Sequence, residues 1–277
     1  MKTPHSYLFV PGDRPERFAK ACASGAQAVL IDLEDAVAPA AKDEARAAIA
    51  RWLAGDEARA LAAQPRPPQL LLRLNATDSP WHAADRQLLA HPLVRGAMLP
   101  KSESAADLAA LHARLRADQV LLPLVETVRG WFQALELARA PGVQRLAFGS
   151  VDFCADSGIR GDGEELILVR SQLVLLSRLA GLAAPLDGVS LALDDAAALE
   201  ADVQRARRFG FGGKLCIHPR QVQAVNTGFA PSPAEQAWAR RVLAAVESEG
   251  LGAIRVDGKL VDKPVLLLAQ GVLAALE

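Results

Sequence analysis

The amino-acid sequence predicts an α/β protein, a (β/α)8 TIM barrel followed by a C-terminal helical extension. Short apolar runs alternate with amphipathic helical segments along most of the chain, which is typical of a parallel sheet covered by helices. Eight such runs fit within roughly 220 residues, and a (β/α)8 barrel usually takes about 250 residues. The composition is globular, with 51% hydrophobic and 23% charged residues among 277. One large barrel domain therefore accounts for most of the chain.

The eight candidate strands are short runs dominated by aliphatic residues, and Ala/Leu/Arg-rich segments with helical periodicity lie between them. The candidate strands are 6–12, 28–35, 69–75, 96–101, 120–126, 145–152, 185–190 and 213–218. The candidate helices include 40–54, 104–116, 127–139, 163–182 and 194–208. A doubly wound open sheet is the alternative. It would need a glycine-rich phosphate turn after the first strand, and "PGDRPER" lacks one.

The C-terminal part of the chain does not fit the eight repeats. It predicts a helix, then the stretch "AIRVDGKLVDKP", then a last helix. We therefore expect a catalytic barrel over residues 1–230 and an extension over 231–277. This extension would dock on the barrel or reach a neighbouring subunit.

Charge and cysteine content restrict the class of partner and the compartment. A formal net charge of -1 gives no general attraction to nucleic acid or to anionic membranes. The sequence has no signal-peptide pattern and no apolar run long enough to span a bilayer. Cys22, Cys154 and Cys216 lack the spacing of a zinc site and are interpreted as reduced thiols. We expect a cytoplasmic protein that acts on a small molecule, with no nucleic-acid or membrane partner.

Polar residues end or directly follow most of the candidate strands. A carboxylate removed from water without a partner costs on the order of several kcal/mol. The C-terminal ends of all barrel strands open on one face, which holds the active site. The polar residues at these strand ends are Asp13 and Arg14, Asp32, Glu34 and Asp35, Arg73 and Asn75, Lys101, Glu126, Asp152, and His218. The sequence therefore predicts one shared polar site.

Three of these residues indicate a chemistry. Glu126 and Asp152 follow neighbouring strands, and Mg²⁺ takes one or two carboxylates while leaving other positions to water and substrate. Arg73 carries a permanently charged fork suited to a carboxylate or carbonyl oxygen. A cation beside an arginine favours enolate chemistry, in which a polarised 2-keto acid takes part in carbon–carbon cleavage or condensation.

Eight motifs, in order along nearly the whole chain, resemble the citrate lyase β-subunit-like (CitE-like) branch of the HpcH/HpaI aldolase family. The motifs are "LFVPGDRPERF", "DLEDAV", "RLN", "LPKSES", "VETVRG", "AFGSVDFCADSGI", "GKLCIHPRQV" and "VDGKLVDKP". The resemblance implies a TIM barrel, a Mg²⁺ cofactor and a homotrimer. It also implies reversible cleavage of a 3-hydroxyacyl thioester, of the malyl-, citramalyl- or citryl-CoA type, to a 2-keto acid or glyoxylate and an acyl thioester.

The resemblance also implies roles for particular residues. Glu126 and Asp152 match the metal ligands of the family, and Arg73 matches the arginine that holds the keto-acid and enolate oxygens. Asp262 matches an aspartate that a neighbouring subunit inserts over the site as general acid/base. The other matches are Phe9, Arg14 and Lys20, which contact CoA in relatives, and Glu34 and Asp35, which support the water shell of the metal.

Several residues keep alternative interpretations. Asp152 could cap the following helix, and Arg73 could be an ion-pair partner of the "DLED" acids. Lys101 could form a Schiff base, and His218 is better interpreted as a hydrogen-bonded residue of the barrel rim than as a base. The "VDGK" turn before Asp262 is also a hairpin signal. Beyond these, Glu126 could be a solvated acid, Arg14 and Lys20 could be surface charges, and the backbone of Ala36 and Val37 could cradle a carboxylate.

The sequence also leaves alternative functions open. These are a malate synthase or thioesterase activity at the same site, a CoA-independent HpaI-type aldolase, a carrier-protein-dependent citrate lyase subunit, and a non-catalytic scaffold. Ser157 stands where relatives often have Leu, and "DKPVLLLAQG" is unusually apolar, so the acyl group is not determined. No stretch of the sequence reads as an acyl-carrier domain, so the thiol could be CoA or a carrier protein.

Overall fold

The computed structural model describes residues 3–249 and 254–276, and its main feature is a closed barrel of eight parallel strands. Each strand pairs with its neighbours in chain order, and β8 pairs with β1. The strands are β1 (Ser6–Pro11), β2 (Ala28–Asp32), β3 (Gln69–Arg73), β4 (Val94–Leu99), β5 (Val120–Val125), β6 (Ala147–Phe148), β7 (Leu186–Asp187) and β8 (Gly213–Cys216). The predicted fold class is confirmed, and every strand overlaps one of the predicted runs.

Helices follow the strands and cover the outside of the barrel. They are α1 (Phe18–Cys22), α2 (Lys42–Ala54), α3 (Asp56–Ala62), α4 (His82–Asp85), α5 (Ala105–His112), α6 (Val128–Phe132), α7 (Ala134–Arg139), α8 (Ser150–Ser157), α9 (Ile167–Leu179), α10 (Ala196–Phe209) and α11 (Pro219–Phe229). Short 3-10 turns lie at Pro15–Arg17, Pro39–Ala41, Arg86–Ala90 and Glu164–Leu166. The predicted helix over 127–139 is divided into α6 and α7 at Gln133, whose ψ of 1° departs from helical geometry.

The interior of the barrel is filled by side chains rather than left as a pore. Because successive residues of a strand point to opposite faces, alternate positions enter the interior. The buried interior residues are Tyr7, Ala28, Leu30, Leu71, Met98, Leu122, Leu124, Ala147, Leu186 and Leu215. The other face of each strand packs against the helices, as Val29 and Ile31 do in β2. Burial on both faces explains why these strands read as continuous apolar runs.

A buried ionic cluster lies on the outer face of the last two strands. Asp187 of β7 accepts a hydrogen bond from Arg170 Nε of α9 at 3.0 Å. Lys214 Nζ of β8 lies 3.6 Å from the same carboxylate. All three side chains are almost completely buried, so their mutual attraction offsets the loss of hydration of each charge. Arg170 also pairs with the half-exposed Asp162, at 2.5 Å. The cluster therefore links α9 to the barrel wall.

The described chain forms two compact units, Met1–Asn226 and Thr227–Glu277. The second contains α12 (Pro233–Glu249), β9 (Ile254–Val256), β10 (Lys259–Val261) and α13 (Lys263–Ala274). The β9–β10 hairpin turns at Asp257 and Gly258, which both have positive φ, as a type I′ turn requires. The boundary expected at residue 230 stays a prediction. No helix within the described ranges combines the length and apolar content needed to cross a membrane.

Candidate active site

A cavity of about 400 Å³ opens at the C-terminal ends of the barrel strands. The lining has a charged side and an apolar side. The charged residues lie at or just after the ends of β2, β3 and β5 and in α8, whereas the residues at the ends of β6, β7 and β8 are mainly apolar. The charged lining residues are Asp32, Asp35, Arg73, Glu126 and Asp152, and the apolar ones include Phe9, Leu124, Phe148, Val151, Val189, Leu191, Leu215 and Ile217. An apolar cavity with a few convergent polar groups is the usual form of a small-molecule site.

The acidic turn after β2 is built around Asp32. Its carboxylate accepts hydrogen bonds from the backbone N–H of Glu34 at 2.8 Å and of Ala36 at 3.2 Å. The N–H of Val37 donates to the carbonyl oxygen of Glu34 at 3.0 Å. Both N–H groups of the suggested carboxylate cradle, those of Ala36 and Val37, are therefore used inside the turn. These contacts do not favour the possible anion cradle there, although Ala36 does line the cavity.

Arg73 lies opposite Asp32 because the two residues are register partners at the ends of β2 and β3. Its Nε and Nη2 atoms donate to the two oxygens of Asp32 at 2.7 and 2.5 Å. Nη1 lies 3.0 Å from Glu34 Oε2, and the guanidinium stacks 4.8 Å from the Phe9 ring centroid. Burial alone would lower the pKa of Arg73, but the Asp32 hydrogen bonds and nearby acids raise it. Arg73 is thus a fixed cation at the cavity wall, paired with the "DLED" acids as one interpretation expected.

Glu34 is a second buried acid behind the cavity wall. Its Oε1 lies 3.3 Å from Lys101 Nζ, and Asp35 Oδ2 lies 3.6 Å from Arg73 Nη1 in a more exposed position. Burial raises the pKa of Glu34 to about 7, against the opposing effects of Arg73 and Lys101. Glu34 and Asp35 therefore place negative charge beside the arginine. This charge would also attract a cation bound in the cavity.

Glu126 presents an unpartnered carboxylate oxygen. The side chain is 2% exposed, and its Oε1 accepts the backbone N–H of Lys101 at 2.7 Å, while Oε2 is buried without a hydrogen-bond partner. Burial, followed by the nearby charge of Glu34, raises the pKa of Glu126 to about 8. Lys101 adopts a φ of 46°, and such backbone strain is common at functional sites. The orphaned oxygen is the clearest sign of a missing partner.

Gly149 lies directly against Glu126. A Cβ atom at position 149 would lie 2.5 Å from Glu126 Cβ and 2.7 Å from its Oε2. Real Cβ atoms do not approach other atoms so closely, so only glycine leaves the carboxylate in place. The small residues before Asp152 in "FGSVD" thus make room for Glu126.

Asp152 lies in the first turn of α8 and lines the same cavity as Glu126. The N-cap of this helix is Gly149, and no side chain caps it. The interpretation of Asp152 as a helix cap is therefore wrong. Its carboxylate remains available on the cavity side of the barrel, where its charge raises the pKa of Glu126 further.

The residues present fit a hard divalent cation of low protein-ligand number. Among the described residues no group of three or more His, Cys, Asp or Glu side chains is arranged to hold a metal. Mg²⁺ does not need such a group, because it is commonly held by one or two carboxylates together with water and substrate. The unpartnered Oε2 of Glu126 and the neighbouring Asp152 satisfy this requirement. Zinc-type coordination by the described residues is not supported.

The residues expected to contact CoA divide into two groups. Phe9 lines the cavity and supports Arg73. Arg14 directly precedes the 3-10 turn after β1, and Lys20 lies on α1. Both side chains are exposed and are not part of the cavity lining. Their predicted contact with the CoA moiety stays a prediction.

The contacts of Lys101 and His218 bear on their alternative roles. A Schiff-base lysine needs a lowered pKa, but burial of Lys101 is outweighed by the charge of Glu34, which raises its pKa. This favours the ion-pair interpretation. His218 is half-buried, and its Nδ1 accepts the backbone N–H of Arg220 at 3.2 Å. His218 therefore has the hydrogen-bonded rim position that was preferred for it.

Asp262 belongs to the second unit, where it precedes α13. Its carboxylate accepts the backbone N–H of Val265 at 3.1 Å, so it caps the helix. The preceding "VDGK" sequence forms the hairpin turn described above. The catalytic role of Asp262 stays a prediction.

Sequence reasoning missed two parts of the site. It did not give Asp32 a role of its own, although matching β2 and β3 residue by residue from their first positions pairs Asp32 with Arg73. It also missed Lys42 and Asp85, which form a buried group with Asn75 behind the acidic turn. The signal for this group was weak, because a lysine at the start of an amphipathic helix usually reads as a surface residue.

Comparisons with known proteins agree with this geometry. A profile of the HpcH/HpaI aldolase/citrate lyase family matches residues 5–219. The citrate lyase subunit beta-like protein of Deinococcus radiodurans is 39% identical over 277 residues, covering 97% of this chain and 96% of that protein. The (3S)-malyl-CoA thioesterase of Cereibacter sphaeroides is 34% identical over 280 residues, covering 98% and 94%.

A solved structure is similar over the full length. It is CitE from Mycobacterium tuberculosis in complex with magnesium, acetoacetate and coenzyme A, with a TM-score of 0.81 and 38% sequence identity. The match covers 98% of this chain and 97% of that one. Together with a site at the C-terminal ends of the barrel strands, these similarities establish that the chain belongs to the HpcH/HpaI aldolase/citrate lyase family.

Proposed function

We propose that this protein is a Mg²⁺-dependent carbon–carbon lyase that cleaves or forms a 3-hydroxyacyl-CoA thioester of the malyl-, citramalyl- or citryl-CoA type. The observation that carries the proposal is the buried, unpartnered Oε2 of Glu126 in a cavity that also holds Asp152 and Arg73. The magnesium, acetoacetate and coenzyme A in the CitE structure support the same cofactor and substrate class.

The residues around the cavity would have distinct roles in this reaction. Glu126 and Asp152 would hold Mg²⁺, which when bound would polarise the keto-acid carbonyl and neutralise its carboxylate. Arg73 would donate a guanidinium N–H that Asp32 does not use to the oxygen that becomes an enolate oxygen, and its pairing with Asp32 pre-orients it for this purpose. Glu34 and Asp35 would support the water shell of the ion. Asp262 of a neighbouring subunit would move the proton.

The divided lining of the cavity supports an orientation for the substrate. The keto acid has a carboxylate next to its reacting carbonyl group and would occupy the charged side. The acyl thioester would lie along the apolar side, with its CoA arm toward Phe9, Arg14 and Lys20. At the mouth, Leu191 and Ile217 are exposed apolar residues that such a ligand would cover.

A thioesterase, or a synthase that hydrolyses its thioester product, is the second candidate. Relatives named (3S)-malyl-CoA thioesterase at 34% identity favour it. The same carboxylates and arginine would serve this reaction, with a water molecule as the attacking group. The HpaI-type aldolase and the carrier-protein-dependent subunit lack a specific observation in their favour and are treated as outcomes of the assay.

The test is incubation of the protein with acetyl-CoA or propionyl-CoA and glyoxylate, pyruvate or oxaloacetate, with Mg²⁺ or with EDTA. Mass spectrometry would detect thioester products, and a thiol reagent would detect released CoA. A hydroxyacyl-CoA formed only with Mg²⁺ is expected. Free hydroxy acid with released CoA would indicate the synthase or thioesterase instead. Metal-dependent cleavage of a free keto acid would indicate the aldolase, and activity only with an acyl-carrier protein would indicate the citrate lyase subunit.

Glu126→Gln provides the matched residue test, because it keeps the shape of the side chain and removes its charge. We expect loss of Mg²⁺ binding and a fall in kcat of at least about 100-fold. Glu136→Gln is the control, since Glu136 is an exposed acid on α7. Full turnover by Glu126→Gln would rule out the assignment of Glu126. The homotrimer is proposed on the resemblance alone. The cytoplasmic location is proposed on the interpretation of Cys22, Cys154 and Cys216 as reduced thiols.

A further inference from the structure

The turn that carries Glu34 is held from behind by a buried ammonium group. Lys42, the first residue of α2, is only 4% exposed. Its Nζ donates to the carbonyl oxygens of Leu33 at 2.6 Å and Glu34 at 2.7 Å, and to Asn75 Oδ1 at 2.7 Å. An ammonium has three donors, and each here has one acceptor. Two of the three acceptors are main-chain atoms of the acidic turn.

The partners of Lys42 are unusual for a buried lysine. Its hydrogen bonds go to neutral oxygens, and the Trp81 ring centroid lies 5.4 Å from the ammonium. Burial lowers the pKa of Lys42, while the charges of Asp32, Glu34 and Asp85 oppose that effect. A cation that needed only neutralisation would pair directly with a carboxylate. This one instead determines where two peptide carbonyls point.

Further hydrogen bonds connect Lys42 to the barrel. Asn75 Nδ2 donates to the Leu33 carbonyl at 2.9 Å and to Asp85 Oδ2 at 2.7 Å. The N–H of Leu33 donates to the Arg73 carbonyl at 2.9 Å. The peptide groups on both sides of Leu33 are therefore fixed, one by β3 and one by Lys42 with Asn75. Glu34 follows directly, and its carboxylate reaches Arg73 and Lys101.

We propose that Lys42 is a positioning residue of the active site, which orders the 33–36 turn and thereby aims Glu34 at Arg73 and Lys101. This inference goes one step beyond the proposed function and rests on it for its catalytic consequence. The ordering of the turn does not rest on it, because it follows from contacts within the protein. The test therefore needs one readout of each kind.

The first readout is hydrogen exchange of the backbone, measured by mass spectrometry on peptides that cover residues 33–37. Lys42→Met removes the three donors and keeps the length of the side chain. Lys214→Met is the matched control, because Lys214 is also a buried lysine but contacts Asp187 away from the turn. We expect the 33–37 amides to exchange at least about 10-fold faster in Lys42→Met, and to change less than about 2-fold in Lys214→Met.

The second readout concerns the site itself. In Lys42→Met we expect the Kd for Mg²⁺, measured by calorimetry, to rise about 10-fold or more, as for other residues that orient a metal site indirectly. In the condensation assay kcat should fall, while KM for the acyl-CoA should change little, since the turn lies on the charged side of the cavity. Lys214→Met should lower Tm without either change.

The proposal is overturned if the amides of residues 33–37 exchange equally slowly in Lys42→Met and in Lys214→Met. It is also overturned if the two variants have the same Kd for Mg²⁺ and the same kcat. Should Lys42→Met fail to fold, Lys42→Arg and Lys214→Arg form the second pair. The arginine fork cannot match three convergent acceptors, so faster exchange at 33–37 is again expected only at position 42. If the wild type itself neither binds Mg²⁺ nor turns over, the proposed function fails, while position-specific exchange would still support the ordering of the turn.

Discussion

At the scale of single residues, the site contains a buried polar atom that lacks a hydrogen-bond partner within the protein. Glu126 has one oxygen held by the backbone of Lys101 and one without a partner. A buried unpartnered carboxylate oxygen is unfavourable unless the group takes a proton or a cation. Gly149 packs directly against the same carboxylate, so a Cβ atom at position 149 would overlap it. Two residue-scale predictions follow from these facts.

Gly149→Ala should displace Glu126. The added methyl group overlaps Glu126 Cβ and Oε2, so we expect at least about a 10-fold weaker affinity for Mg²⁺ and a lower Tm. Calorimetry and thermal unfolding measure the two effects. The control is Gly271→Ala, because a Cβ at that helical position meets no other atom. Unchanged Mg²⁺ affinity in Gly149→Ala would contradict the role given to this glycine.

Glu126 should also make the metal-free protein sensitive to pH. Its pKa is raised from 4.5 to about 8, so folding retains a proton that the unfolded chain releases near pH 4.5. The contribution of Glu126 to the free energy of unfolding is fully present below about pH 4.5 and is lost as the pH rises toward 8. Glu126→Gln does not titrate, so it should gain stability relative to wild type between pH 5 and 8, by on the order of a few kcal/mol.

Urea unfolding in EDTA at several pH values measures this difference. Glu34 also titrates, with a pKa raised to about 7. Saturating Mg²⁺ should remove much of the pH dependence, since the ion takes the place of the proton. A stability difference between wild type and Glu126→Gln that stays constant from pH 5 to 8 would contradict the raised pKa.

At the scale of secondary-structure elements, pairing register determines which charges meet. Asp32 and Arg73 end neighbouring strands as register partners, so the ion pair follows directly from the barrel. On the outer face, Asp187, Arg170 and Lys214 bring together β7, β8 and α9. The first group faces the cavity and is available to a ligand. The second lies between sheet and helix, so we expect it to affect stability rather than turnover.

Asp187→Leu should therefore be strongly destabilising. It leaves Arg170 and Lys214 buried without their shared carboxylate, and loss of one partner of a buried ion pair typically lowers the free energy of unfolding by about 3–5 kcal/mol. Asp194→Leu is the control, because its ion pair with Arg220 is exposed and is worth less than about 1 kcal/mol. Equal losses in urea unfolding for the two variants would contradict this interpretation of the cluster.

At the scale of the whole molecule, the main question is where the proton donor comes from. Asp262 is part of the second compact unit, where it directly precedes α13. The resemblance to the CitE-like branch implies that this aspartate acts on the site of a neighbouring subunit. If so, the smallest active species is an oligomer.

Complementation between inactive variants tests this arrangement. Glu126→Gln and Asp262→Asn should each be inactive alone. Co-expressed at equal amounts, they should form mixed oligomers in which about a quarter of the sites combine an intact Glu126 with an intact Asp262 from the next subunit. Recovery of activity only after co-expression supports action between subunits. No recovery in mixed oligomers, verified by two affinity tags, would indicate that Asp262 acts within its own chain or not at all.

Much of the fold could be predicted from the sequence because it depends on local periodicity. Strands buried on both faces read as continuous apolar runs, and helices on the outside show a helical repeat, so all eight strands were located. None of the named candidate helices covers α1, α3, α4, α8 or α11. The first four have eight residues or fewer and carry little periodic signal. The charged residues of the cavity were also recognisable from the sequence, since each lies at the end of a strand or shortly after one.

The sequence by itself determined the barrel, the family and the set of acids and cations at the strand ends. Only the tertiary structure decided how these charges are distributed. It paired Arg73 with Asp32, left one oxygen of Glu126 without a partner, and buried Lys42 behind the acidic turn. The physical reason is that periodicity reports which face of an element is buried. Hydrogen bonds between groups far apart in the chain depend instead on strand register and on distances that only the closed barrel brings about.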